Sequence, residues 1–192
     1  MKAFAQLLIA TGLMVTATAA SAHTGHDAGT GFASGLLHPM LGLDHLLAMA
    51  AIGFWSVRQS ATLKNSTPLF VIGGMILGAG MAWSGLSLPG VETGIALSVL
   101  LAGILIATMA KLPTAVGGSL VAAFMLFHGY AHGTEMPAGA ALMAYLAGLS
   151  IATLALTFLG RGLGGAMMKV DGRFGQTLGG LVSAIGIFLA TA

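Results

Sequence analysis

The stretch His38-Pro39-Met40-Leu41-Gly42-Leu43-Asp44-His45 decides how the chain is read, because it sets two imidazoles and a carboxylate inside a long hydrophobic run. In hydrocarbon an ionisable side chain is costly unless it is paired, solvated or bound to an ion, so such a cluster marks a functional site by default. Asp44 has to meet a cation, a histidine or water there. Pro39 lacks an N–H and clashes with the carbonyl of Gly35, which pushes His38 out of helical geometry. Gly42 softens the next turn. The stretch therefore predicts a first helix broken or kinked near Pro39. Interrupted helices at membrane depth line cavities, and their freed carbonyls suit cations.

Composition sets the environment. Of 192 residues, 57% are hydrophobic and 6% charged, with a mean hydropathy of +0.97, whereas a soluble domain carries roughly 25% charged residues. This is the composition of an all-α polytopic membrane protein. The net charge of +2 comes from few groups and does not point to nucleic acid. The chain has no cysteine, which removes disulfides, iron–sulfur clusters and thiolate zinc sites from consideration. No connection is long enough for a nucleotide-binding fold.

Residues 1–22 read as a secretory signal: Lys2 supplies the positive start, an apolar core too short to span follows, and Ala20-Ser21-Ala22 offers a small-residue cleavage site. The mature chain, 23–192, is then one transmembrane domain with runs at roughly 30–57, 68–88, 92–111, 114–133, 137–160 and 174–192, each enough to cross a core of ~30 Å. Gly74 and Gly78, and Gly175 and Gly179, have the four-residue spacing that lets helices approach closely in lipid. Residues 160–165 read as a flexible glycine loop, and Trp55 and Trp83 as interfacial anchors.

Charge orients the bundle. Apart from Lys2, the Lys and Arg residues are Arg58, Lys64, Lys111, Arg161, Lys169 and Arg173, all at the first, third or fifth connection. The positive-inside rule puts those connections in the cytoplasm and both mature termini outside, in a plasma (inner) membrane. All six histidines then fall in the external half: His23 and His26 in the N-terminal segment, His38 and His45 in the first run, His128 and His132 near the outer end of the fourth, with Glu135 just beyond. His128 and His132, at i and i+4, share a helix face and can share an ion. Asp44 either binds that ion or orients an imidazole. His23 and His26, beside a freed amino terminus, would be capture ligands. Imidazole and carboxylate without thiolate suit Ni²⁺, Co²⁺, Zn²⁺ or Cu²⁺ and do not choose among them. Met40, Met49, Met125 and Met136 read as packing.

Taken together, His38-Pro-x-x-Gly42-x-Asp44-His45-Leu-Leu-Ala48-Met49 and Phe127-His128-Gly129-Tyr130-Ala131-His132-Gly133-x-Glu135-Met136-Pro137 resemble the HupE/UreJ family. The resemblance covers the mature chain and implies a nickel or cobalt permease that accompanies hydrogenase or urease maturation. It carries His38, Asp44, His45, His128, His132 and Glu135 over as metal residues, with the metal as cargo rather than resident cofactor. The first motif is also similar to the His-x4-Asp-His signature of the wider nickel/cobalt transporter family. Here five residues separate His38 from Asp44, so that family's site geometry does not transfer.

The expectation is an inward permease for a divalent metal, with the metal ion and the lipid bilayer as partners, hydrogenase or urease maturation proteins as further ones, and neither nucleotide nor nucleic acid. Two rivals use the same ligands. One is a metal-binding delivery protein that does not transport; the other is an intramembrane metallohydrolase with Asp44 or Glu135 as base. The orientation is open to a direct check in this cysteine-free chain. Lys64→Cys and Ala166→Cys should be shielded from an impermeant external thiol reagent, while Met136→Cys should react; labelling at 64 but not at 136 would invert the bundle.

Overall fold

The computed structural model describes residues 31–137, 140–167 and 172–191. Residues 1–22, read above as a secretory signal, and His23, His26 and Lys169 lie outside the described residues. Among those described, the chain forms seven helices and no strand: α1 (Gly31–Leu41), α2 (Leu43–Ser56), α3 (Ala61–Trp83), α4 (Val91–Ala107), α5 (Thr114–Thr134), α6 (Leu142–Met167) and α7 (Gly172–Thr191). By length and composition α3, α5, α6 and most of α7 can each cross a membrane, and α1 with α2, bent by 82°, forms either a fifth, broken span or a re-entrant loop. The fold is all-α and polytopic. The remaining apolar helix, α4, has 17 residues, about 26 Å of rise, slightly less than a typical core of ~30 Å.

The break falls at Gly42, three residues beyond Pro39. Pro39 and His38 both stay inside α1. Gly42 takes up the extended conformation instead (φ −89°, ψ 119°), and its carbonyl accepts the first bond of α2, from the Leu46 N–H at 3.0 Å. A side chain at position 42 would also be in the way. A Cβ there would lie 2.9 Å from Asp44 Oδ1 and 3.1 Å from His45 Nδ1.

Glycine sets the helix pairs. α1 and α2 both lie along α6, where a Cβ at Gly35 would fall on the Tyr145 carbonyl and one at Gly53 on the Thr157 carbonyl. α3 lies along α5, with Gly74 against Ala122 and Gly78 against Leu126. α4 lies along α7, with Gly103 against Gly179 and Gly186 against Leu100. The residue numbers rise together in the first two pairings and oppositely in the third. In lipid, helices associate through such close backbone packing, because burial of apolar surface gives no advantage over the acyl chains.

Three readings are corrected here. Residues 160–165 are not a loop: α6 runs through them to Met167, since Gly160 and Gly164 are seated on the backbone of Ala50 and Phe54. The second run starts earlier than position 68, because the Ser60 side chain accepts the Leu63 N–H and caps a helix from Ala61. Trp55 is no interfacial anchor. It is 3% exposed and donates its indole N–H to the Ala110 carbonyl at 2.9 Å. Trp83, half-buried, donates to the Gly133 carbonyl at 3.0 Å.

Two glycines separate packing from propensity. Gly53→Ala should destabilise the protein in detergent by about 1–3 kcal/mol, the usual cost of overpacking. Gly73→Ala, with nothing within 4 Å of the added Cβ, should be neutral or stabilising by up to about 1 kcal/mol, the propensity difference. Melting temperatures of both variants check this, and equal shifts would remove the packing argument.

Candidate metal site

The bend at Gly42 places the end of α1 and the start of α2 against the last turns of α5. All four histidines of the two motifs meet there. The His38 and His132 ring centroids are 5.1 Å apart, His45 and His128 4.5 Å, and His45 and His132 4.3 Å. His128, His132 and His45 are buried at 0%, 1% and 8% exposure. His38 is half-buried, at the rim.

Each ring has a different partner. Asp44 Oδ1 accepts both the His45 backbone N–H and its ring Nδ1–H, each at 2.8 Å. That orients the imidazole and leaves Nε2 as its free lone pair. His128 is set from α4. The Ser98 hydroxyl lies 2.6 Å from the Ile95 carbonyl, to which it can donate, and 2.8 Å from His128 Nε2. With the Ser98 proton on that carbonyl, His128 donates from Nε2 and keeps its lone pair at Nδ1, which has no hydrogen-bond partner. His132 has no partner for either nitrogen, while its backbone carbonyl accepts the Tyr145 hydroxyl at 3.1 Å. His38 Nε2 pairs with Glu135 Oε2 at 2.7 Å. That hydrogen bond lowers the Glu135 carboxyl below its ordinary range, against the opposing effect of partial burial.

The site consequently presents four buried ring nitrogens without hydrogen-bond partners: His45 Nε2, His128 Nδ1 and both nitrogens of His132. An unsatisfied buried polar atom costs about 1–3 kcal/mol, and a divalent cation is a partner that imidazole lone pairs accept. At the rim, His38, His132 and Glu135 bring one ligand atom each to within 4.8 Å of one another. His132 thus belongs both to an outer group with His38 and Glu135 and to an inner group with His45 and His128.

The structure brings together every site residue named from the sequence except His23 and His26, which lie outside the described residues. Two contributors were missed, Ser98 and Tyr145. Ser98 sits in an apolar helix 30 positions from His128, and only its polarity in that run could have drawn notice. Tyr145 has no local signal.

The fold and site together define a polytopic all-α membrane protein with a buried imidazole cluster at a helix break. The model of the family described as HupE / UreJ protein matches residues 11–189, and the chain belongs to that family. It is similar to "Protein HupE" of Rhizobium leguminosarum bv. viciae, 41% identical over 175 residues that cover 88% of this chain and 89% of the relative. No solved structure matches.

Ser98→Ala tests the hydrogen-bond relay. It removes the acceptor of His128 Nε2–H and frees the ring to change tautomer. Ni²⁺ affinity measured by calorimetry should fall roughly 10–100-fold, as for other changes one shell outside a metal. Unchanged affinity would show that the Ser98 contact does not set the His128 ring for metal.

Proposed function

We propose that the protein is a secondary permease that carries a divalent transition metal, Ni²⁺ in the first place and Co²⁺ by the same chemistry, inward across the plasma membrane. The observation that supports this is the group of four unpartnered imidazole nitrogens buried where a broken helix meets α5. His38, His132 and Glu135 would receive the ion at the outer rim, and His45 and His128 would take it over with His132. His23 and His26 would concentrate metal at the mouth. A membrane potential of ~100 mV drives a divalent ion with ~4.6 kcal/mol, at 2.3 per charge. The imported metal would supply the maturation of a metalloenzyme such as hydrogenase or urease.

The hydrolase rival finds little support in the site. A general base must be available to a metal-bound water; Asp44 Oδ1 already accepts two hydrogen bonds from His45, and Glu135 is used here to receive the ion. The delivery rival predicts Ni²⁺ binding without flux. Uptake of Ni²⁺ into proteoliposomes containing this protein alone, under an inside-negative potential, separates the readings. Saturable uptake is expected; binding without uptake would establish delivery, and hydrolytic turnover without flux the enzyme.

Asp44→Asn refines the site. Both contacts of Asp44 Oδ1 go to His45, so the carboxylate acts as an orienting group. Asn can still accept one of these bonds. The variant should stay folded and lose roughly 10–100-fold in Ni²⁺ affinity, with uptake reduced in step. Complete loss of binding with an unchanged melting temperature would make Asp44 a direct ligand.

A further inference from the structure

A site of several imidazoles holds a metal tightly, and a path through a membrane needs a place for the ion to go next. Conduction requires binding strong enough to enter but weak enough to leave. The way onward from the histidines is marked by a ridge of α6. Tyr145, Thr153, Thr157 and Arg161 recur at multiples of four residues, so they follow an inclined ridge that winds about 160° around the helix from Tyr145 to Arg161. The row starts at the histidine cluster, where Tyr145 donates to the His132 carbonyl, and ends about 24 Å away at Arg161. Tyr145, Thr153 and Thr157 are all 0% exposed, as is Ser56 of α2 beside the far end.

A threonine inside a helix ordinarily satisfies its hydroxyl on the carbonyl one turn back. Thr157 does so, donating to the Thr153 carbonyl at 2.8 Å. Ser56 donates to the Gly53 carbonyl at 2.7 Å. Thr153 is different: its hydroxyl is fully buried and has no hydrogen-bond partner. A valine would fill the same volume without that cost, so the hydroxyl is poised for something absent from the resting packing. Beyond it, Arg161 closes the row. Its Nη2 donates to the Lys64 carbonyl of α3 at 2.5 Å, its Nε lies 3.4 Å from Ser56 Oγ of α2, and its guanidinium lies over the Phe158 ring at 5.2 Å. One cation thus ties α2, α3 and α6 together at the basic end of the bundle.

We propose that this row is the inner half of the ion's path, with the Thr153, Thr157 and Ser56 oxygens as a weak transit site for a divalent cation and Arg161 as its closed cytoplasmic gate. Oxygen ligands of this kind bind borderline metals less tightly than imidazoles do, so affinity falls in the direction of transport. The Arg161 charge repels the cation until the three-helix tie releases. The inference rests on the permease reading.

The test uses the full chain in proteoliposomes with Ni²⁺. Thr153→Val should leave calorimetric Ni²⁺ affinity at the histidines unchanged and the melting temperature equal or higher, while uptake falls about tenfold; Thr153→Ser should restore it. Arg161→Gln should raise passive efflux of preloaded Ni²⁺ about tenfold, again with unchanged affinity. A purely structural Thr153 predicts a stabilised valine variant with parental uptake, and that result would overturn the transit site. Parental efflux from folded Arg161→Gln would overturn the gate. If the parent protein binds Ni²⁺ but moves none, the permease reading fails and takes the path with it, an outcome distinct from failure of the variants alone.

Discussion

Everything in this molecule follows from holding imidazole lone pairs dry and unpaired. Water is the usual partner of such groups, and in a bilayer the alternatives are a protein donor or a cation. Here four ring nitrogens, one of them the N–H of His132, have no partner, while the remaining ring contacts are assigned one by one, to Asp44, Ser98 and Glu135. A cluster of this kind is stable only inside a frame rigid enough to resist collapse, and the frame is supplied by backbone-to-backbone packing at Gly35, Gly53, Gly78 and Gly129.

The break in the first span serves the same end. A straight helix would separate His38 from His45 by about 10 Å along its axis. The turn at Gly42 folds them toward α5 instead, so that each touches His132. Gly42 is the hinge because the Asp44 carboxylate and the His45 ring occupy the space that a Cβ would need. Conformation and ligand placement are therefore one requirement at this residue.

The basic end is built on another principle. Trp55 and Gln59 both donate to the Ala110 carbonyl, at 2.9 and 3.0 Å, and the Leu112 N–H donates to Gln59 Oε1 at 3.0 Å. These bonds fasten the first connection to the third. Together with Arg161 they seal the end of the bundle opposite the histidines, while the histidine end keeps its nitrogens open.

Much of this was legible in the residues alone. Hydropathy without charge announces membrane helices, since unpaired backbone and charge are intolerable in lipid. The i, i+4 histidines on α5 and the His38–His45 stretch mark the candidate site, because imidazoles in hydrocarbon demand a reason. Tertiary structure decided the rest. Whether the chain breaks at Pro39 or Gly42 depends on what occupies the space beside each, and whether residues 160–165 form a loop or a helix depends on α2 lying against them. Ser98 and Tyr145 joined the site through contacts 30 and 13 residues away in sequence. Local spacing carries helix and ligand type, because both depend on neighbours one turn away. It cannot carry which lone pair stays free, because that is settled by partners on other helices.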